Sequence, residues 1–550
     1  MLMRYRGPLG RLVATLAIAV PLLGTGVARA QHPAAGPTQG GMLTVAFSNV
    51  ATNLDPAQAS YPPDNSITTG ALFSGLYRIN VAGKLVPDIS AGLPQVSNGQ
   101  RVFTVQLKHG VYFNAIGFKA REVTAQDVKY TYERVLDPHL KPSVSWGQAS
   151  DTAIAGATAY INGKATHVSG IQALGRYTVR FTLAQPLASF PYVMAISANF
   201  LVPVEAVAQY GQDFGAHPVG TGPFMVKQWV KTQQLVLVRN PLYFVKGLPY
   251  LDGLTFQFNV DKNLEILRWQ NNQIDAIGDA YDLPPNQTAG LAANASTAKY
   301  VQPFQPSGTS NVLYINNLIP PFNNTLVRKA VAYAIDKRRL LVRYRGQAIA
   351  STQIYPPAVM QHTKGFQDYP YDPAMARQLL KQAGYSGAPI EVLVDEGASN
   401  DPLEAPSVEQ DLRAVGFTVK ERGVSDQQAN TIEGTLKGYT IIFGYWGMDY
   451  PDAYDFVVPT YTPEGISAGG LNFSRYSNPR IDTLVAQAEA LPFGPARDAV
   501  YARIQRILVD DVAAVPLFYR ERFNLGGPHV GSLGWTPAYS YNEWAYAWRR

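Results

Sequence analysis

The chain carries the marks of an exported protein yet has no cysteine, and that pairing constrains its fold more than any other feature. Arg4, Arg6 and Arg11 precede an apolar stretch from Leu12 to Val27 that is broken by Pro21 and Gly24. Ala28-Arg29-Ala30 follows as a small-x-small cleavage site. This is the pattern of a cleavable signal peptide, because the apolar segment is too short and interrupted for a membrane anchor. Without cysteine there are no disulfides, thiolate metal sites, cysteine nucleophiles or lipid-bearing cysteine. Without disulfides such a protein needs a large core, and 550 residues with 46% hydrophobic content are enough for at least two lobes.

The expected organisation begins with a signal peptide over 1–30 and a flexible leader over 31–40, followed by a mature protein free in the periplasm. Loss of the first 30 residues removes four Arg and no acid, taking the formal charge from +6 to +2 (42 basic side chains against 40 acidic). A nearly neutral chain has no electrostatic footprint for nucleic acid. Charged residues are only 16% while Tyr alone numbers 32, a balance that favours contact with a small ligand.

Strand and helix periods alternate along the whole chain. Met42–Phe47, Phe103–Leu107, Tyr177–Leu183, Leu235–Val238, Leu254–Phe258 and Tyr439–Phe443 read as strands. Thr124 with Asp127 reads as a capped helix start with Val128, Tyr132 and Val135 on one face. Apolar spacing predicts one helix from Thr325 to about Leu341, and further helices open at Asp372-Pro373, Asn478-Pro479 and Pro495. No fixed-period repeat is visible, so the class is a mixed α/β chain of more than one lobe.

The richest segment is Gly444-Tyr-Trp-Gly-Met-Asp-Tyr-Pro-Asp452. The strand before it is expected to stop at Gly444, and the Pro turn to display Tyr445, Trp446 and Asp449 at the strand's end. A carboxylate flanked by aromatic rings suits a ligand with an apolar body and an ammonium group. The same residues also fit a polar turn packed over core aromatics. Asp449 and Asp452 as a catalytic pair is a weaker reading, since acids three apart around a proline more often serve turn structure or ligand binding. Gly465-Ile-Ser467-Ala-Gly469 matches a serine-hydrolase pattern but lacks the strand before it and the helix after it. No phosphate loop or zinc motif is present, and the seven His stand apart, so neither a cofactor nor a metal site is expected.

Taken in order, several segments resemble the bacterial extracellular solute-binding proteins of the dipeptide/oligopeptide class, family 5, which serve ABC importers. They are Asn53-Leu-Asp-Pro56 with Leu72-Phe-Ser-Gly-Leu-Tyr77, Gly83-Lys-Leu-Val-Pro-Asp88, Phe103 to Phe113, Val123-Thr-Ala-Gln-Asp-Val128, Gly220-Thr-Gly-Pro-Phe224 with Arg239-Asn-Pro-Leu-Tyr243, Val327 to Asp336, and Trp446-Gly-Met-Asp-Tyr-Pro-Asp452. The resemblance implies a two-lobed periplasmic binding protein fold of type II, the large class with an extra subdomain in lobe I, with the ligand cleft between the lobes. It implies lobe I over 41–258 with an inserted subdomain at about 76–184, lobe II over 259–519, and a return to lobe I over 520–550. The crossings are expected near Phe258–Asp261 and Pro516–Tyr519. Asp449 would pair with a peptide's α-ammonium group, Trp446 and Tyr445 would lie beside it, and Ser60, Tyr61 and Asp64 would line the cleft from lobe I. The implied partners are a peptide and an inner-membrane ABC permease, with the protein acting as a monomer without catalysis. An oligosaccharide or other small solute is the alternative ligand, a secreted hydrolase using Ser467 the alternative of another class, and a chaperone-like or receptor-presenting role a third. Ala453, where relatives carry proline, and the long connection Asn114–Glu122 depart from the family pattern.

Overall fold

The structure, a computed structural model, describes residues 36–60, 63–280, 283–303, 308–397, 401–435, 437–466, 470–521, 523–536 and 542–550. The chain divides into two compact units, Met1–Gly36 and Pro37–Arg550. The expected signal peptide, Tyr61 and Ser467 lie outside the described residues. Part of the segment read as a flexible leader is tied down. The Thr38 hydroxyl donates to the Arg549 carbonyl, Gln39 Nε2 to the Gly247 carbonyl at 2.8 Å, and Gly40 N–H to Tyr250 O at 2.8 Å.

Two sheets organise the second unit. The first has seven strands in the order Phe224–Val230, Gln234–Arg239, Gly253–Gln257, Met42–Ala46, Ala276–Ile277, Phe523–Gly526, Val301–Pro303. Met42–Ala46 is its middle strand, parallel to both neighbours, and Leu43 and Val45 are fully buried. Both faces of such a strand are covered, which is why it reads as a near-continuous apolar run. The second sheet has six strands in the order Ala348–Ala350, Ala514–Arg520, Thr309–Ile315, Ile441–Gly447, Ile390–Asp395, Val419–Val424. Every residue of Thr309–Ile315 is buried. Leu313 and Ile315 pack with Val327, Val331, Leu380 and Leu412 of the covering helices, whereas Val312 and Tyr314 join the core that runs into lobe I. This is the alternation a strand between two packed layers must show.

Membership of the two sheets corrects one boundary. Ala276–Ile277 and Val301–Pro303 hydrogen-bond within the first sheet, so lobe I continues well past the crossing expected near Phe258–Asp261. The chain enters the second sheet at Thr309 and re-enters the first at Phe523. The strand signal at 254–258 is real, but a parallel sheet lets the chain leave and come back, and local pattern does not report that.

A smaller four-stranded sheet, in the order Gln95–Ser97, Val102–Gln106, Thr178–Thr182, Ile171–Ala173, sits in lobe I. The helix Ala125–Val135 packs on it through Tyr132, whose ring lies 4.8 Å from that of Phe181. Its start is fixed by the capping box, with Thr124 N–H donating to Asp127 Oδ2 at 2.8 Å. The expected long helix from Thr325 is in fact two, Thr325–Ala334 and Lys337–Tyr344. Ile335 is extended, and Asp336 caps the second helix by accepting Arg338 N–H at 3.1 Å. An Asp with a free backbone turn before it competes with helix propagation, and here it wins.

Candidate functional site

The strand Ile441–Gly447 does not stop at Gly444. It runs on through Tyr445 and Trp446, paired antiparallel to Thr309–Ile315. Glycine is needed at 444 because a Cβ there would lie 2.8 Å from Tyr314 Cε2, not because the chain turns. This changes where the aromatics point. Consecutive strand residues face opposite sides. Trp446 therefore lies opposite Ser310 on the side of Val312 and Tyr314, and Tyr445 lies opposite Asn311 on the other. Tyr445 is 54% exposed, whereas Trp446 is half-buried. The sequence places the two rings together, and the fold separates them.

Past the strand, the turn Asp449-Tyr-Pro-Asp452 leads into the helix Ala453–Tyr461. Asp455 in its first turn, which sequence reasoning missed, organises the turn. Its Oδ2 accepts the Asp449 backbone N–H at 2.9 Å and the Trp446 indole N–H at 3.3 Å. Trp446 and Asp449 are thus held by one buried carboxylate. Burial raises the Asp449 carboxyl above the ordinary carboxylate range. Burial, with the Asp449 charge second, raises Asp455 well above it. Among the described residues no cation pairs with Asp449. A half-buried carboxyl with no counter-charge holds its proton to a higher pH than an exposed one.

Asp452 has a different task. It is fully buried, caps the helix through Tyr454 N–H at 2.9 Å, and takes a bidentate pair from Arg497 at 2.6 and 2.7 Å. The two acids of the motif therefore divide the work, with Asp452 holding the turn and Asp449 left open. The turn also meets lobe I, since the Tyr450 ring stacks on that of Tyr192 at 6.1 Å between centroids. Ser310 Oγ, on the Trp446 side of the strand, and Asn311 Nδ2, on the other side, are buried without a hydrogen-bond partner.

The lobe I candidates are less favourable. Both Asp64 oxygens are occupied locally, by Thr52 N–H at 2.8 Å, Thr52 Oγ1 at 2.7 Å and Asn53 N–H at 3.0 Å. Asp64 thus clamps its own loop. Ser60 is half-buried and its carbonyl accepts from Asn65 Nδ2 at 3.3 Å. The loop is fixed further by the buried Arg134–Asp55 pair, with Nη1 2.9 Å from Oδ1, and by Trp146 Nε1 on the Pro56 carbonyl at 3.1 Å.

A two-lobed α/β protein with an uncompensated carboxyl beside a tryptophan at the lobe junction is a solute-binding architecture. Residues 84–468 match the family described as bacterial extracellular solute-binding proteins, family 5 Middle, and the chain belongs to that family. It is similar to the glutathione-binding protein GsiB of Salmonella paratyphi A, 26% identical over 483 residues, covering 86% of this chain and 88% of that one. The GsiB protein of Escherichia coli O157:H7 is similar to the same degree, at 26% identity. Among solved structures, the periplasmic binding protein DppA of Helicobacter pylori, in complex with the peptide STSA, superposes with a TM-score of 0.77 at 23% identity, covering 93% of this chain and 98% of that one. Clavulanic acid biosynthesis oligopeptide binding protein 2 gives 0.84 at 21%, covering 93% and 95%. The fold is thus the two-lobed type II fold of that class.

Proposed function

We propose that this protein captures short peptides with a free α-ammonium group and hands them to an inner-membrane ABC permease. One observation carries the reading: Asp449 is a half-buried carboxyl beside Trp446 with no cation partner among the described residues. An ammonium ion supplies the missing charge, and the indole face and lobe I exclude water around the pair. Glutathione, which the curated relatives are named for binding, is itself a peptide with a free α-ammonium group. The protein works as a monomer in the periplasm, by lobe closure and without catalysis.

The test is a thermal-shift comparison of mature protein with glutathione, di- to tetrapeptides, their N-acetylated counterparts and oligosaccharides. A ligand at a hundred times its dissociation constant adds about 2.7 kcal/mol, which raises Tm by a few degrees. Peptides with a free amino group are expected to shift Tm and acetylated ones to leave it unchanged. Equal shifts from both forms, or a shift from sugars alone, would overturn the ammonium reading.

A further inference from the structure

The acidic turn is wired to the opposite lobe through one arginine. Arg497 is fully buried on the helix Pro495–Asp510. Its two terminal nitrogens grip Asp452, and Nη2 also reaches Glu489 Oε1 at 2.5 Å. Glu489, the last residue of the helix Pro479–Glu489, is buried too, and Tyr501 donates to the same Oε1 at 2.6 Å. Its other oxygen, Oε2, crosses to lobe I. There it accepts the backbone N–H and the hydroxyl of Ser189, both at 3.0 Å, while Ala188 N–H donates to the Glu489 carbonyl at 3.1 Å. Ser189 belongs to lobe I, because the next residue, Phe190, packs on Phe103 and Phe181 of the four-stranded sheet at 5.2 and 5.5 Å.

Two buried carboxylates therefore share one guanidinium, which leaves one negative charge to be satisfied by neutral donors. Two of those donors come from the other lobe. A buried carboxylate that loses its donors bears a desolvation cost that solvent must relieve. Separation of the lobes is what admits that solvent. Tyr192, three residues past Ser189, adds an apolar contact across the same seam, on Tyr450 at 6.1 Å and Phe493 at 5.6 Å.

We infer that Ser189, Glu489 and Arg497 form an interlobe latch that holds the lobes together in the ligand-free protein and couples their contact to the position of the acidic turn. These are positioning residues, and the inference rests on the fold, not on the identity of the ligand.

The absence of native cysteine makes the test direct. Spin labels on cysteines replacing Leu93 in lobe I (63% exposed) and Val342 in lobe II (75% exposed) report the interlobe distance by pulsed electron resonance. Ligand-free mature protein is expected to show a population at the closed distance. Ser189→Ala removes one donor to a buried charge and is expected to move the open-to-closed ratio about tenfold toward open. Ser189→Thr, which keeps the hydroxyl, is expected to retain the original ratio. Glu489→Gln, keeping shape but not charge, is a second variant expected to open the lobes. One distance distribution shared by the parent and all variants, whether long or short, would overturn the latch. Peptide affinity is not part of the readout, so failure here leaves the ammonium reading standing.

Discussion

Replacing Asp449 by Asn isolates the charge that the proposed function requires. The amide keeps the shape of the side chain, and the structural bonds of the turn use the Asp449 backbone N–H and the Asp452 side chain, not the Asp449 carboxyl. Folding should therefore survive. Binding should not, because a closed cleft would strand an ammonium ion opposite a neutral amide. Removing one partner of a buried ion pair costs about 3–5 kcal/mol. Asp449 is half-buried, not sealed, so the low end applies. About 3 kcal/mol corresponds to a roughly hundredfold rise in Kd. Isothermal titration of parent and variant with one tripeptide and its N-acetylated form measures it. The parent should prefer the free amine strongly and the variant should lose that preference. If Asp449→Asn binds the free-amine peptide as tightly as the parent while still discriminating against acetylation, the carboxylate that reads the amine lies elsewhere.

Acidity gives a linked prediction. Burial raises the Asp449 carboxyl in the free protein, and an ammonium ligand favours its charged form. Binding thus releases a proton, its affinity is greatest above the raised free-state value, and it weakens as pH falls through that value; calorimetry in buffers of different ionisation heat should show the release in the parent and not in Asp449→Asn. Glu265 offers a stability test, since burial, with Asp279 second, pushes its carboxyl up to about 9. The folded state then keeps a proton that the unfolded chain has lost, so stability should fall as pH rises from about 4.5 to 9, by up to about 1.4 kcal/mol per unit. Glu265→Gln should flatten that slope in urea titrations, and an unchanged slope would refute the assignment. Gly444→Ala should cost about 1–3 kcal/mol by driving Cβ against the Tyr314 ring, read as a lower Tm in calorimetry.

Local signals carried over well into three dimensions. Thr124, Asp372 and Asn478 cap the helices they were expected to cap, because a cap needs only residues within one turn. The motif around Asp449 was legible as a run of residue types, and so was its likeness to a family. What the sequence hid is long-range. The strand extends through Gly444 because Thr309–Ile315, far off in the chain, pairs with it, and Tyr314 of that strand leaves no room for a side chain at 444. Asp452 is sequestered by Arg497 and Glu489 by Ser189, and no periodicity announces those partners. The donors that Asp64 accepts from Thr52 and Asn53 were likewise hidden, because they come together only when the loop closes.

The strand Phe523–Gly526 lies between Ala276–Ile277 and Val301–Pro303 in the first sheet. During synthesis, lobe I therefore cannot be finished until the far end of the polypeptide has emerged, whereas the second sheet, drawn from Thr309 to Arg520, needs nothing beyond itself. Sequence separation of this size slows folding. The order of synthesis thus runs against the order of assembly, since the strand Met42–Ala46 is made among the first and its sheet is closed by one made among the last.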